Sequence, residues 1–200
     1  MITSKLSEYS PEMSTQLSAQ FRLKLLRVAR QSLENFLENG ERIQFPTEIP
    51  VLLEKRAVFV TLRNRGNEEL RGCIGQSKPR YPLIEAVAKT AISSAVDDTR
   101  FPSLTLDELP EMLIEINVLS PLAPSKPEDV KIGKHGLMIN KGSKGAIFLP
   151  EVAVSNGWDL HTFLDELCRK ADLPEGSWHD REAELYVFES EAWGENEFLG

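Results

Sequence analysis

The chain has 200 residues, of which 41% are hydrophobic and 27% charged, and a formal net charge of -8. That is ordinary globular composition, sufficient for one domain or two tight lobes, and the acidic balance argues against a dedicated duplex-binding protein, which needs a basic face for its phosphate contacts. There is no run of about 18 apolar residues, and the opening MITSKLSEYSPEM lacks the basic-then-apolar pattern of a secretory signal, so the expectation is a cytoplasmic protein with no membrane partner.

In chain order, Ser10-Pro11-Glu12 predicts a helix start, with Ser as N-cap and Pro in the first turn. Phe21, Leu25, Val28, Phe36 and Leu37 mark its apolar face, and Gly40 is a natural stop. Ala57 to Leu62 is a β-branched, largely apolar run that suits a strand covered on both faces. Arg63 to Glu69 reads as a turn, and Leu70-Arg71-Gly72-Cys73-Ile74-Gly75 returns as the partner strand. Pro82 to Val96 carries a stripe of small and branched apolar residues at helical spacing, suited to close approach to a sheet.

Thr105-Leu106-Asp107-Glu108 has the form of a capping box opening one short turn, which Pro110 keeps from extending. Met112 to Leu119 alternates, placing Glu115 and Asn117 on one face of a strand. Pro121 to Pro127 is linker-like and is expected to join two lobes. A second hairpin is expected from Gly136–Asn140 and Ala146–Leu149, turning at Lys141 to Gly145; a helix follows over about Trp158 to Lys170, and a closing strand over Glu182 to Ser190. Hairpins and helices interleave without a βαβ rhythm, so the fold class is α+β, with mostly antiparallel sheet and packed helices in a larger and a smaller lobe flanking a cleft.

The hexapeptide Leu70 to Gly75 poses the functional question, because glycine weakens a strand interior unless something must approach the backbone closely. A ligand could be that something, and so could tight packing. Cys73 has three readings: inert packing, ligand or redox contact, and covalent catalysis, the last of which needs a thiolate and hence a nearby cation, histidine or helix N-terminus. Arg71, two residues away, shares its face. With Cys168 far off in sequence, both cysteines suit reduced thiols better than a disulfide.

Among the histidines, His135 in Gly133-Lys134-His135-Gly136 is the candidate acid or base, since glycines expose the backbone beside it; His161 lies on the charged side of its helix. No HxxxH or CxxC spacing marks a metal site. Gly142-Ser143-Lys144-Gly145 lacks phosphate-loop spacing and reads as a hairpin turn. Glu115 needs a cation or donor from another strand if its face is covered. Two windows are basic, Arg63–Arg80 and Lys126–Lys144, each with five cations against two acids.

Six segments together resemble the AMME chromosomal-region protein family: LRGCIG itself, Arg100-Phe101-Pro102-Ser103-Leu104 with Glu108-Leu109-Pro110, Ile114 to Leu119, Gly136 to Ile139, Phe148-Leu149-Pro150-Glu151-Val152-Ala153, and Trp158 with Phe163-Leu164. The likeness runs from about Ala19 to Glu195, leaving residues 1–18 as an N-terminal extension and helix start ahead of a family domain over 19–195. Glu151 stands where the family more often has glutamine. The resemblance implies an α+β fold of two lobes with the hexapeptide near the cleft between them, and association with a Memo-like protein and a radical-SAM protein. It names no reaction and no cofactor.

The expectation from these residues is a small anionic ligand in the interlobe cleft. Arg71, Gly72, Gly75 and Gly136 would bind it, Cys73 would contact or attack it, His135 would shuttle a proton, and Glu115 would orient Arg71 or act as base. The alternatives are an adaptor that docks on a partner protein, and a nucleic-acid regulator working through the two basic windows.

Overall fold

The computed structural model describes residues 16–198. The helix start expected at Ser10 lies outside them. Helix α1 (Ala19–Asn39) ends at Gly40, whose left-handed φ of 73° lets its N–H reach back to the Phe36 carbonyl at 2.8 Å. Its buried face is Leu25, Leu26, Val28, Ala29, Ser32 and Leu33, while Phe21 and Leu37 pack at the margin. A single turn, α2 (Pro50–Leu53), buries Leu52 and leads into the hairpin of β1 (Val58–Asn64) and β2 (Leu70–Gln76).

The pairing puts Leu62 opposite Gly72 and Thr61 opposite Cys73, with an irregularity at Leu62/Arg63. Val58, Val60 and Leu62 are buried on one face of β1, and Phe59, Thr61 and Arg63 are half-buried on the other, so this strand is fully covered on one side only. Helix α3 (Leu83–Val96) packs on β1 and β2 and against α1, which itself meets the sheet at β3. Its alanines, Ala86, Ala88, Ala91 and Ala95, allow that close approach and are all buried.

Strand β3 (Met112–Leu119) pairs with β1, placing Glu115 opposite Thr61. The proline-rich segment beyond it forms β4 (Ala123–Pro124) and carries the chain into a second sheet. There β5 (Gly136–Lys141) and β6 (Lys144–Phe148) make the expected hairpin, turning through Gly142 at φ 61°. Helix α4 (Pro150–Asn156) precedes α5 (Leu160–Lys170), whose N-cap Asp159 accepts the Thr162 N–H at 2.8 Å. Helix α4 has no counterpart in the sequence reading.

The single closing strand expected over Glu182–Ser190 is corrected to two. Strand β7 (Glu184–Phe188) joins the second sheet and β8 (Ser190–Gly194) returns to the first. The sheets are wholly antiparallel, ordered β2-β1-β3-β8 and β4-β7-β5-β6, and the class is α+β.

Each sheet has its own core: α1 and α3 cover the first, while Phe163, Leu164 and Leu167 of α5 cover Leu137 and Ile139 of the second. A third cluster of Ala57, Leu119 and Phe188, with Phe59 and Ile147 beside it, joins residues of both sheets. Among the described residues no helix is long and apolar enough to cross a membrane.

Candidate functional site

The glycines of the hexapeptide answer to packing. A Cβ on Gly72 would land against the Ser94 carbonyl oxygen of α3, with the carbonyl carbon at 3.2 Å; a Cβ on Gly75 would enter the Phe59 ring across the hairpin. At Gly136 the space belongs to the Phe188 ring and to the Phe148 carbonyl oxygen, 2.8 Å from where a Cβ would sit. The expectation that Gly72, Gly75 and Gly136 open room for a guest is therefore corrected: a helix backbone and two aromatic rings of the protein itself fill it.

Arg71 is likewise engaged. Its Nε and Nη2 donate to Glu108 Oε1 at 3.1 Å each, and its Nη1 donates to the Pro102 carbonyl at 2.9 Å. Glu108 also accepts the Thr105 N–H (2.9 Å) and hydroxyl (3.0 Å), one half of the expected capping box. Burial pushes the Glu108 carboxyl upward, but the Thr105 donors and the Arg71 guanidinium outweigh it and hold the group below the usual carboxylate range. Only 16% of the Arg71 side chain is exposed, so its role as a free anion donor is corrected to that of a tie between β2 and the turn before β3.

Cys73 lies one step along, on the sheet face turned away from α1 and α3. Thr61 Oγ1 donates to its sulfur at 3.2 Å. Strand β2 is the edge of its sheet, and the outward backbone of Cys73 is closed by a side-chain clip: the N–H donates to Asp98 Oδ2 at 2.8 Å, and the carbonyl accepts Arg100 Nη2 at 3.3 Å. Arg100 in turn donates Nε and Nη2 to Asp98 at 2.9 and 2.6 Å. The Arg100 guanidinium, opposed by burial and joined by the Cys73 and Arg100 N–H groups, holds the Asp98 carboxyl well below the usual range.

Cys73 is half-buried, whereas Cys168 is fully enclosed and its thiol is pushed up by burial. Asp98 and Arg100 were absent from the sequence-derived site. Their signal is the opposite charges of Asp98 and Arg100 two residues apart, directly behind an apolar helix, where a clip for a neighbouring edge can form.

Glu115 stands two strands from Cys73 in the row Cys73–Thr61–Glu115. Directly opposed residues lie about 4.5–5.5 Å apart, so roughly 10 Å separates the thiol's strand from the carboxylate's. Glu115 accepts Arg63 Nε at 2.9 Å, so its expected partnership with Arg71 is corrected to Arg63.

His135 belongs to the turn before β5, where its Nδ1 accepts the Lys131 N–H at 3.2 Å. Burial lowers its affinity for a proton, with Lys134 and Lys131 adding to that effect and Glu189 opposing it, so the ring is held below the usual histidine range. None of its described polar contacts involves Cys73, Arg71 or Glu115. In the second basic window, Lys134, Lys141 and Lys144 pair with Glu189, Asp180 and Asp172 respectively. What the structure does assemble is a half-exposed thiol among three guanidinium–carboxylate pairs, Arg63–Glu115, Arg71–Glu108 and Arg100–Asp98.

Three comparisons bear on this arrangement. The AMMECR1 family model matches residues 26–193, which include the hexapeptide, the Asp98–Arg100 clip and both sheets. Protein PH0010 of Pyrococcus horikoshii is 44% identical over 182 residues, covering 86% of this chain and 88% of its own length; Protein MK0488 of Methanopyrus kandleri is 41% identical over 181 residues, covering 86% and 87%. The crystal structure of the Pyrococcus horikoshii protein superposes with a TM-score of 0.74 over 86% of this chain and 89% of that one. The chain belongs to the AMMECR1 family, that of the AMME chromosomal-region proteins.

Proposed function

We propose that the protein binds a small anionic ligand at the β2 edge, with the Cys73 thiol touching it and Arg100 supplying the cation. The observation that carries this reading is the Arg100 side chain: 56% of it is exposed, yet it is fixed by Asp98 and by the Cys73 carbonyl beside a half-exposed thiol. A guanidinium already held in place loses little conformational freedom when it takes up an anion, and its planar fork suits carboxylate or phosphate. Although Arg100 is paired with Asp98, its Nη1 has no partner among the described residues, whereas all three Arg71 nitrogens are engaged, and so Arg100 takes the part first expected of Arg71. The two sheets are read as two lobes, and the protein as a cytoplasmic component of a modification pathway with Memo-like and radical-SAM proteins, a partnership that rests on the family resemblance.

The test uses the full chain with Cys168→Ala, a substitution that keeps an enclosed apolar site apolar. Inorganic phosphate or citrate, added at constant ionic strength, is expected to slow iodoacetamide labelling of Cys73 saturably, and Arg100→Gln to weaken that protection about tenfold, the size of a charged hydrogen bond. Labelling that stays equally fast at saturating anion would overturn the proposal.

A second reading, an adaptor without catalysis, is supported by the filled space at Gly72 and Gly75, which makes the motif a device for holding a surface in shape. It predicts that a bulky label on Cys73 abolishes capture of a partner protein while anions leave the labelling rate unchanged.

A further inference from the structure

A cavity of about 400 Å³ lies between α1, the β1–β2 turn and the last described residues, away from the Cys73 edge. Leu23, Arg27, Arg30, Gln31 and Glu34 line it from one face of α1, at intervals of three and four residues. Its floor is closed by a fixed pair: Arg30 Nε donates to Glu195 Oε1 at 3.0 Å, its other nitrogens donate to the Leu109 and Met112 carbonyls at 2.8 Å each, and Glu195 Oε2 accepts the Ile114 N–H at 3.0 Å. That pair is neutral, and all three Arg30 nitrogens are engaged.

Two further guanidiniums reach the same cavity from different elements, Arg27 on α1 and Arg65 in the β1–β2 turn. Both residues are exposed, and among the described residues neither side chain has an ion-pair or hydrogen-bond partner. By contrast Arg22, Arg30, Arg63, Arg71 and Arg100 each hold a carboxylate. Arg65 is not a loose loop residue: its N–H donates to the Glu111 carbonyl at 2.7 Å, and the neighbouring Asn64 side chain accepts the Gly66 N–H at 3.1 Å.

Two uncommitted cations converging on one concavity suit a phosphate group, whose charge near neutrality is about -1.5 to -2. Glu34, also without a partner among the described residues, sets a further condition. A bare polyanion would be repelled by it, whereas a ligand carrying hydroxyl donors would satisfy both its carboxylate and the Gln31 amide. Leu23 and Phe198 add apolar surface for a carbon skeleton. We infer that this cavity is a binding site for a hydroxylated organic phosphate of the sugar-phosphate type, with Arg27 and Arg65 holding the phosphate and Gln31 and Glu34 the hydroxyls.

The probe is ribose 5-phosphate, read as a rise in the melting temperature of the full chain at constant ionic strength, with ribose and inorganic phosphate as controls. Ribose 5-phosphate is expected to raise the melting temperature at millimolar concentration, inorganic phosphate to raise it less, and ribose not to raise it. Arg27→Gln and Arg65→Gln are each expected to weaken the apparent affinity about tenfold. Glu34→Gln should weaken the response to ribose 5-phosphate while strengthening that to inorganic phosphate, which the carboxylate no longer repels. Both responses are read in an Arg100→Gln background, which removes anion uptake at the β2 edge, and are expected to persist there, which separates the two sites. No shift with ribose 5-phosphate, or a shift that survives both arginine substitutions, would overturn the inference; a response to phosphate as large as that to the sugar phosphate would overturn the polyol assignment.

Discussion

At Gly72 the neighbour is a helix carbonyl, which cannot turn aside; at Gly75 it is an aromatic ring, which can. Gly72→Ala is therefore expected to cost about 2–3 kcal/mol and Gly75→Ala about 1 kcal/mol, with the Gly75→Ala loss largely restored by Phe59→Leu. Urea denaturation of the three variants checks this, and equal losses for the two alanines would contradict it.

Asp98 gives a prediction in pH. Its folded pKa lies below the ordinary value of about 3.9, so the clip contributes fully above that pH and its contribution fades as the pH falls through the folded value. Asp98→Asn should be clearly less stable than wild type at neutral pH, with the gap narrowing below about pH 4, where the Asp98 carboxylate of the unfolded chain takes up a proton that the folded one still refuses. Urea midpoints across that range measure it, and a constant gap would contradict it.

The side-chain partners at this scale were the least legible part of the sequence. Alternation set Arg71 beside Cys73 on one strand and Glu115 beside Asn117 on another, and the pairing then aligns Cys73, Thr61 and Glu115 in one row, with Arg71 at the irregularity of the β1–β2 register. However, Arg71's partner Glu108 is 37 residues away and the Cys73 clip 25, and no local spacing encodes either.

At the scale of elements, the two hairpins and helices α1, α3 and α5 were readable because each carries its own period and its own stop: Gly40 ends α1, and the Lys141–Lys144 turn sets the β5–β6 register. Strand β8 was not readable. It is five residues long, Ser190-Glu191-Ala192-Trp193-Gly194, with one large apolar side chain, and it follows β7 after a single intervening residue, so the pair looked like one strand. The break at Glu189 becomes visible only because the two strands pair in different sheets.

Trp193 fastens β8. It is 2% exposed within the first core, and its Nε1–H donates to the Arg22 carbonyl of α1 at 3.2 Å. Trp193→Ala is expected to destabilise the protein by about 3–5 kcal/mol, a cost typical of an emptied aromatic core site. A loss under about 1 kcal/mol in equilibrium unfolding would mean that β8 is peripheral to the first sheet.

Across the whole molecule, the chain leaves the first sheet after β3, builds the second, and returns through β8. The Ala57–Leu119–Phe188 cluster sits where those crossings occur, and Phe188 also fills the space above Gly136, so two of the sequence's glycine-containing segments serve packing within or between the sheets. The α+β class was legible because the hairpins lack parallel crossovers. Of the candidate site, the sequence singles out the hexapeptide strand and Glu115 but not the partners, since Arg71 is held by Glu108 in the turn before β3, Arg100 by Asp98 behind α3, and Glu115 by Arg63.

The proposed site turns on the positive charge that Arg100 presents beside the Cys73 thiol. Its most direct measurement is the ratio of iodoacetate to iodoacetamide labelling rates at Cys73 in the Cys168→Ala protein, at low ionic strength and relative to a free thiol. The two reagents differ in charge and share the alkylation step, so a raised ratio is expected, falling about three- to tenfold in Arg100→Gln and diminishing with added salt. A ratio unchanged by Arg100→Gln would contradict it.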